Sequence, residues 1–255
     1  MRNRAAATCA YDPDSPEKRR LLKGLLHRSH LAHITLKCSV CLIQKLFLSV
    51  LKSWPVKLRS LVVLSGARMF RNTYQSGLIS LLSSVGYEPL QLWGTEVRNG
   101  SIKRIQDEEI CDMVIEIVSR DVRETSITFP ANRDDALAIK LPLVAFLVKN
   151  LNRDFSFEVE LVDVKGDKHW LRANSFQKKS RESQLICTMP LRMEEGWNYV
   201  QMDVSDLTKR AFGRRFAELL RIQVHANCRL RRIFCADRIY SEDELPPEFR
   251  LYRAD

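Results

Sequence analysis

Residues 220–240 have the sequence LRIQVHANCRLRRIFCADRIY, and the first half of this stretch alternates strictly between apolar and polar side chains. A side-chain period of two predicts a β-strand with one face buried and the other in water. The apolar positions are Leu220, Ile222, Val224, Ala226, Cys228 and Leu230. The polar positions between them are Arg221, Gln223, His225, Asn227, Arg229 and Arg231. The sequence therefore predicts a β-domain in which one strand presents a cationic face to solvent.

The alternation ends at Arg232, which shifts the phase. Residues 233–240 are therefore predicted to form a second strand or the far side of a β-bulge, and the length of the first half makes a bend near Asn227 plausible. His225 and Cys228 are an odd number of residues apart, which places them on opposite faces of one strand. We therefore expect no shared metal ion, with Cys228 in the core and His225 at the surface.

Residues 69–255 contain many short apolar stretches separated by turn signals. Asn99-Gly100 predicts a tight hairpin in which Val97 and Ile102 are cross-strand neighbours. Strands are predicted at 113–118, 126–129, 137–141, 155–161, 169–176, 185–191 and 196–204, whereas 143–151 fits either a helix or a buried strand. Ser205 and Gly213 predict the ends of a short helix over 206–212. This pattern predicts an all-β fold, an antiparallel β-sandwich or jelly roll with one or two short helices.

The net charge of +10 lies entirely within the first 68 of the 255 residues. That segment holds 13 of the 41 Lys and Arg residues and 3 of the 31 Asp and Glu residues, so the rest of the chain is formally neutral. Overall charge is therefore no argument for nucleic-acid binding by residues 69–255, although the local arginine cluster could meet an acidic surface. Seven cysteines without a disulfide-like framework, and without a secretory signal, indicate a reducing compartment.

Residues 1–68 are predicted to be a basic N-terminal extension, separate from the β-domain of residues 69–255. An amphipathic helix over 35–51 is expected, but its lysines occur too often for a membrane-spanning segment. The alternatives for this extension are a targeting leader, a membrane-surface helix, a zinc site, or a tail without a folded role. The candidate zinc ligands are His27, His30, His33, Cys38 and Cys41.

No sequence motif nominates an enzyme in residues 69–255. A Gly-rich phosphate loop, a G-x-S-x-G elbow and an H-E-x-x-H helix are all absent. The adjacent carboxylates Glu242, Asp243 and Glu244 lie in a turn-like context, where such groups are usually solvated or cap a helix. We therefore expect no catalytic residue, no cofactor, no metal and no small-molecule substrate.

Several short blocks occur in order along residues 69–255. They are MFRNTYQSG at 69–77, PLQLW at 89–93, VRNG at 97–100, IKRI at 102–105, IKLP at 139–142, ICTMP at 186–190, GWN at 196–198, VHANCR at 224–229 and YSEDELP at 240–246. Together they resemble the cilia- and flagella-associated protein 20 family. The resemblance begins at Met69, and departures at 94–96, 118–125, 178–184 and 213–217 indicate a diverged paralogue.

The resemblance implies a jelly-roll β-sandwich without known catalysis, acting as a structural microtubule inner protein of the ciliary and flagellar axoneme. Its expected place is the inner junction, where the B-tubule closes on the A-tubule of the doublet microtubule. The implied partners are tubulin, a Parkin co-regulated protein-like neighbour and other microtubule inner proteins, and no membrane. The implied locations are the axoneme, the basal body or centriole and the cytoplasmic cytoskeleton, with a nuclear pool left open.

The proposed partner-binding residues follow from this reading. The cationic side chains Arg221, His225, Arg229, Arg231 and Arg232 would contact acidic tubulin, and the turn of Glu242, Asp243 and Glu244 would contact a basic neighbour. The alternative is a non-catalytic module for carbohydrate or nucleic acid, with the arginines or Trp93, Trp170 and Trp197 as its platform.

Two expectations test the sequence reading. Val224→Asp is expected to unfold the domain, whereas Arg229→Glu is expected to leave the fold intact and weaken docking.

Residues 1–68 are expected to lie outside the working fold, as a segment added by an upstream start codon or a gene-model error would. Mass spectrometry of the endogenous protein should then find an N-terminus at or next to Met69.

Overall fold

The computed structural model describes residues 66–251. The first half of this range forms β1 (Leu78–Ser83), β2 (Gly94–Val97), β3 (Gly100–Asp107), β4 (Asp112–Ser119), β5 (Thr125–Phe129) and β6 (Leu143–Asn150). The second half forms β7 (Ser156–Asp163), β8 (Lys168–Asn174), β9 (Arg181–Glu182), β10 (Ile186–Pro190), β11 (Gly196–Asp203), α1 (Val204–Phe212), β12 (Phe216–His225) and β13 (Cys228–Ala236). A 3₁₀ turn, Pro247–Phe249, follows near the C-terminus.

The strands form two sheets. The first sheet has the order β11-β6-β13-β4-β3, with β1 also paired to β13, and the second has the order β2-β5-β12-β7-β8-β10-β9. Across residues 66–251, only the β8–β10 pair runs parallel. The two sheets enclose one apolar core, in which the rings of Phe146 and Phe157, from opposite sheets, lie 4.4 Å apart. The predicted antiparallel sandwich with one short helix is thereby confirmed.

The stretch that alternates in the sequence is two strands and not one. β12 lies at the centre of the second sheet between β5 and β7, whereas β13 lies in the first sheet between β6, β4 and β1. The chain crosses between the sheets at Ala226 and Asn227. The Asn227 side chain fixes this crossing, because its Oδ1 accepts the Ser119 N–H at 2.8 Å and its Nδ2 donates to the Asp154 carbonyl at 3.0 Å.

The hairpin predicted at Asn99-Gly100 is wrong. β2 pairs with β5 in the second sheet, and β3 pairs with β4 in the first, so Val97 and Ile102 belong to different sheets. Gly100 is required by a close approach of the backbone. A Cβ atom at Gly100 would clash with the Val118 carbonyl oxygen and lie 2.5 Å from Thr125 Oγ1.

Several local predictions have clear outcomes. Residues 143–150 form a strand, which settles the choice between helix and strand, whereas residues 137–141 contribute only an isolated bridge from Ile139 to Leu219. The helix α1 begins earlier than expected, because Asp203 rather than Ser205 caps it by accepting the Asp206 N–H at 2.8 Å. Gly213 ends the helix in the left-handed conformation, as predicted. The strand β1 was not predicted.

The predictions about the N-terminal extension lie almost entirely outside the described residues. This applies to the helix over 35–51 and to the candidate ligands between His27 and Cys41. Residues 66–68 do contact the β-domain: the Ala67 N–H donates to Asp135 Oδ1 at 2.8 Å, the Ala136 N–H donates to the Ala67 carbonyl, and Arg68 pairs with Glu218.

Candidate interaction surfaces

The predicted single cationic face is divided between two sheets. Arg221 and His225 lie on β12 in the second sheet, whereas Arg229, Arg231 and Arg232 lie on β13 in the first. The two sheets pack through their inner faces, so their outward-facing polar side chains point to opposite sides of the sandwich. The prediction of one continuous cationic face is therefore wrong. Each half has to be considered by its own contacts.

Arg221 holds a loop of its own chain. Its guanidinium donates to the carbonyl oxygens of Pro130, Asn132, Arg133 and Asp135, and it lies 3.4 Å from the Glu160 carboxylate. Residues 130–135 form the loop between β5 and β6, so one side chain satisfies several of its backbone acceptors. The contacts show a structural role for Arg221.

His225 is buried, so the prediction of a surface histidine is wrong. Its side chain is 10% exposed, and Nε2 lies 3.4 Å from Glu158 Oε1, which also accepts from Arg172 Nε at 2.9 Å. Burial raises the pKa of the Glu158 carboxyl, but hydrogen bonds from His225 and Arg172 outweigh burial and lower it overall. Cys228 is in the core as predicted, and burial raises the pKa of its thiol.

Arg229 belongs to a charge cluster on the outer face of the first sheet. Asp107 at its centre is fully buried and accepts from Arg229 Nη1 at 2.7 Å, Lys149 Nζ at 3.0 Å and Trp197 Nε1 at 3.1 Å. Arg229 Nε also donates to Glu116 at 2.8 Å. Burial alone would raise the pKa of Asp107. The hydrogen bonds from Arg229, Trp197 and Lys149 outweigh burial and lower the pKa from 3.8 to about 2.

Arg231 and Arg232 are buried, and their contacts hold the C-terminal segment, residues 240–251, against the first sheet. Arg231 Nη1 donates to the carbonyl oxygens of Arg250 and Leu251 at 2.9 and 3.0 Å. The guanidinium of Arg232 lies 4.4 Å from the centre of the Phe249 ring. The predicted exposure of these two arginines is therefore wrong.

The acidic turn of Glu242, Asp243 and Glu244 is exposed, as its composition suggested. The Glu244 carboxylate accepts the Ser241 N–H at 3.0 Å, which is half of a capping box, and pairs with Arg238 at 2.8 Å. Hydrogen bonds from Arg238 and Ser241 lower the pKa of Glu244 to about 2. In the structure these residues form a turn and not a helix.

Asp107 and Lys149 were missed by the sequence reading. Asp107 ends a strand beside Glu108 and Glu109, so it resembled another solvated turn carboxylate. The only available signal was Lys149 at the end of an otherwise apolar run, since a lysine there needs a buried or nearby anion.

The tryptophans considered as a binding platform do not form one. Trp93 stacks on Phe129 in the core, with ring centres 5.1 Å apart, and Trp197 is buried against the Asp107 cluster. Only Trp170 remains partly exposed among these three. Within residues 66–251, no group of His, Cys, Asp or Glu side chains is arranged to hold a metal ion, and no helix is long and apolar enough to cross a membrane.

A comparison with solved structures gives only a weak likeness. A family 11 carbohydrate-binding module from Clostridium thermocellum aligns with 66% of this chain and 100% of its own, at a TM-score of 0.37 and 10% sequence identity. This likeness is too low to support any conclusion about binding.

Comparison with known sequences is far more informative. The CFA20 domain family matches residues 69–253. Cilia- and flagella-associated protein 20 of Caenorhabditis elegans is 52% identical over 184 residues, which cover 72% of this chain and 91% of the relative. The proteins of that name from Chlamydomonas reinhardtii and Paramecium tetraurelia are 50% and 48% identical, each over 72% of this chain and over 97% and 96% of their own lengths. The chain therefore belongs to the cilia- and flagella-associated protein 20 family.

Proposed function

We propose that this protein is a non-catalytic structural component of the ciliary and flagellar axoneme, located at the inner junction of the doublet microtubule. The observation that carries the proposal is the identity of about half of all aligned residues with relatives named for cilia and flagella, over nearly their whole length. A sandwich whose charged side chains are largely paired within the domain is consistent with a structural protein that packs between neighbouring proteins. Its work there is to support axoneme stability and ciliary motility.

The proposed partners are tubulin, a Parkin co-regulated protein-like neighbour and other microtubule inner proteins. The exposed turn of Glu242, Asp243 and Glu244 is the part of the predicted contact set that is accessible to a basic neighbour. Arg229 keeps 27% of its side chain exposed, so it can still meet an acidic surface while it holds Asp107. Arg221, His225, Arg231 and Arg232 would contribute by shaping the two outer faces.

Two experiments test this proposal. A tagged copy expressed in a ciliated cell should follow the axoneme and basal body, and a copy confined to the nucleus or cytosol would contradict an axonemal role. Purified protein should co-sediment with polymerised tubulin, with stronger retention when the Parkin co-regulated protein is added. Binding to a glycan or RNA panel without binding to microtubules would support the alternative module instead.

The acidic turn has a matched control. Glu242→Lys together with Asp243→Lys should weaken binding to the basic neighbour by about tenfold, which corresponds to about 1.4 kcal/mol. Glu88→Lys together with Glu108→Lys changes the net charge by the same amount at exposed positions outside the turn, and should leave binding unchanged. Equal effects of both changes would mean that net charge, and not the turn, controls the association.

A further inference from the structure

The edges of the two sheets differ in how they are protected. An edge strand offers backbone N–H and C=O groups to other chains, and proteins usually guard it with charges, prolines or short length. The edges within residues 66–251 are β1, β2, β3, β9 and β11. β1 has 6 residues, and its Leu81 carbonyl already accepts a hydrogen bond from Trp93 Nε1 at 3.3 Å. β2 and β9 have only 4 and 2 residues, and β3 carries Lys103 and Arg104 in its middle. β11 has 8 residues and no charged side chain before Asp203.

β11 has one side without a neighbouring strand among the described residues, although at its start the Gly196 carbonyl accepts a hydrogen bond from Asn198 Nδ2 at 2.8 Å. In the part of the chain that the structure describes, it pairs with β6 alone, from Gly196 opposite Asn150 to Asp203 opposite Leu143. In an antiparallel pair, every second residue directs its N–H and C=O away from the neighbouring strand. The outer side of β11 therefore offers a ladder of hydrogen bonds to a further strand.

An apolar groove lies on the inner side of β11. Val200 and Met202 point toward the core, opposite Phe146 and Val144 of β6. Together with Met189 and residues of β7, β8 and α1, they line a groove of about 340 Å³ between β11 and β10. This is the open side of the sandwich. A side chain entering it would contact methionines, which adapt easily to different shapes.

A second groove lies on the outer side of the same strand. Tyr199 points away from the core and packs against the second apolar cluster. With Tyr240, Leu245 and Leu251 it lines a groove of about 310 Å³, whose polar members are Glu242 and Arg250. Because side chains alternate along a strand, a strand added to β11 would direct successive side chains into the two grooves.

The charges around β11 are mostly acidic at its start. Glu194 and Glu195 are exposed immediately before the strand, and the carboxylate of Glu109 approaches Gly196. Lys149 pairs with Glu109 at 3.0 Å, and Arg192 is exposed nearby. We infer that β11 binds an extended segment of another protein, with alternating apolar side chains and with lysine or arginine over the Gly196 end. This inference does not depend on where in the cilium the protein acts.

A second copy of this chain fits the edge less well. Antiparallel pairing of two β11 strands, centred on Tyr199, would place Glu195 of each copy directly opposite Asp203 of the other. The two carboxylates would then face each other at both ends of the pair. Like charges directly opposite destabilise a strand pair, so the charges favour a different, basic partner.

The test uses the full chain and a synthetic peptide of two lysines, the segment Val-Tyr-Val-Thr-Val and two further lysines. Fluorescence anisotropy should give a Kd of about 10–100 μM. Hydrogen exchange should show new protection of the amides of β11 and none in β3. The same peptide N-methylated at every residue of the Val-Tyr-Val-Thr-Val segment has no backbone donor on either edge, so its binding should be lost.

Variants locate the site. Glu194→Lys with Glu195→Lys should weaken peptide binding about tenfold, whereas Lys103→Glu with Arg104→Glu, on the other long edge, should leave it unchanged. Equal binding of the N-methylated peptide, protection outside β11, or no binding up to about 1 mM peptide would overturn the inference. A dimer of the chain alone that protects β11 would assign the edge to self-association and would equally overturn it.

Discussion

Asp107 shows how much a single outward-facing position contributes to this sandwich. Its carboxylate is fully buried, and it is satisfied by one arginine, one lysine and one tryptophan from three other strands. A buried charge is tolerated only when it is paired and hydrogen-bonded. Arg229→Glu would place a third carboxylate beside those of Asp107 and Glu116. That change should therefore destabilise the fold, contrary to the expectation from the sequence.

Removal of the Asp107 charge tests this cluster directly. Asp107→Asn should lower the free energy of unfolding by about 2 kcal/mol, because Lys149 and Arg229 lose their shared buried partner and keep only Glu109 and Glu116. Urea denaturation measures the change. Asp121→Asn is the matched control, since Asp121 pairs with Arg123 at an exposed site, and should leave the stability almost unchanged. If both variants lost the same free energy of unfolding, the Asp107 cluster would have no special role in stability.

The same carboxylate predicts a pH dependence. Its folded pKa of about 2 lies below the ordinary value of 3.8, so the unfolded chain takes up the proton first as the pH falls. The stabilisation is complete above about pH 5, is lost as the pH falls toward 2, and amounts to about 2 kcal/mol. The difference in unfolding free energy between the wild-type protein and Asp107→Asn should therefore shrink between pH 5 and about pH 2.5. A difference that stays constant would contradict the lowered pKa.

At the scale of the elements, Gly100 marks the position where β3 begins against its neighbours. Gly100→Ala should destabilise the domain by about 1–3 kcal/mol, because the added methyl group overlaps the Val118 carbonyl, which is backbone and cannot move aside easily. Gly86→Ala is the control, since its Cβ would lie 3.6 Å from the nearest atom, the Ser83 carbonyl oxygen. Thermal unfolding of both variants measures the contrast. Equal melting temperatures would mean that the loop at residues 98–100 adjusts freely.

Periodicity predicted the inner faces of β12 and β13 correctly but not their separation. Ile222, Val224, Cys228 and Leu230 are all buried, because two strands that face the same core keep the same in-and-out phase across the crossing at Asn227. No local feature of the sequence predicts that the chain passes from one sheet to the other at Asn227. The Asn99-Gly100 signal failed for a related reason: a tight turn can join strands of different sheets as well as neighbours.

Burial of the outer polar positions depended on parts of the chain that lie far away in sequence. Arg231 continues the polar positions of the alternation and Arg232 ends it, yet the segment 240–251 covers both. Asp107 is buried because Lys149, Trp197 and Arg229 converge on it from three separate strands. Such contacts form only after the sheets assemble, so the alternation identified the polar positions without identifying their partners.

At the scale of the whole molecule, the described residues all belong to one compact unit, which begins at residue 66. Two backbone-to-domain hydrogen bonds of Ala67 and the ion pair of Arg68 with Glu218 lie upstream of Met69, where the family resemblance starts. These contacts fill the gap between the loop 134–136 and β12. The boundary of the folded unit and the boundary of the resemblance therefore differ by a few residues.

Fragments that begin at residues 66 and 69 separate these two boundaries. The fragment 66–255 is expected to have the same free energy of unfolding as the full chain, because it contains the whole core and all hydrogen bonds of the described residues. The fragment 69–255 should be less stable by about 1–2 kcal/mol, since it lacks the two hydrogen bonds of Ala67 and the one from the Arg71 N–H to the Arg68 carbonyl, and leaves Glu218 without Arg68. Urea denaturation of the three proteins, followed by tryptophan fluorescence, makes the comparison. If both fragments matched the full chain, residues 66–68 would contribute nothing, and the folded unit would begin at Met69 as the sequence suggested.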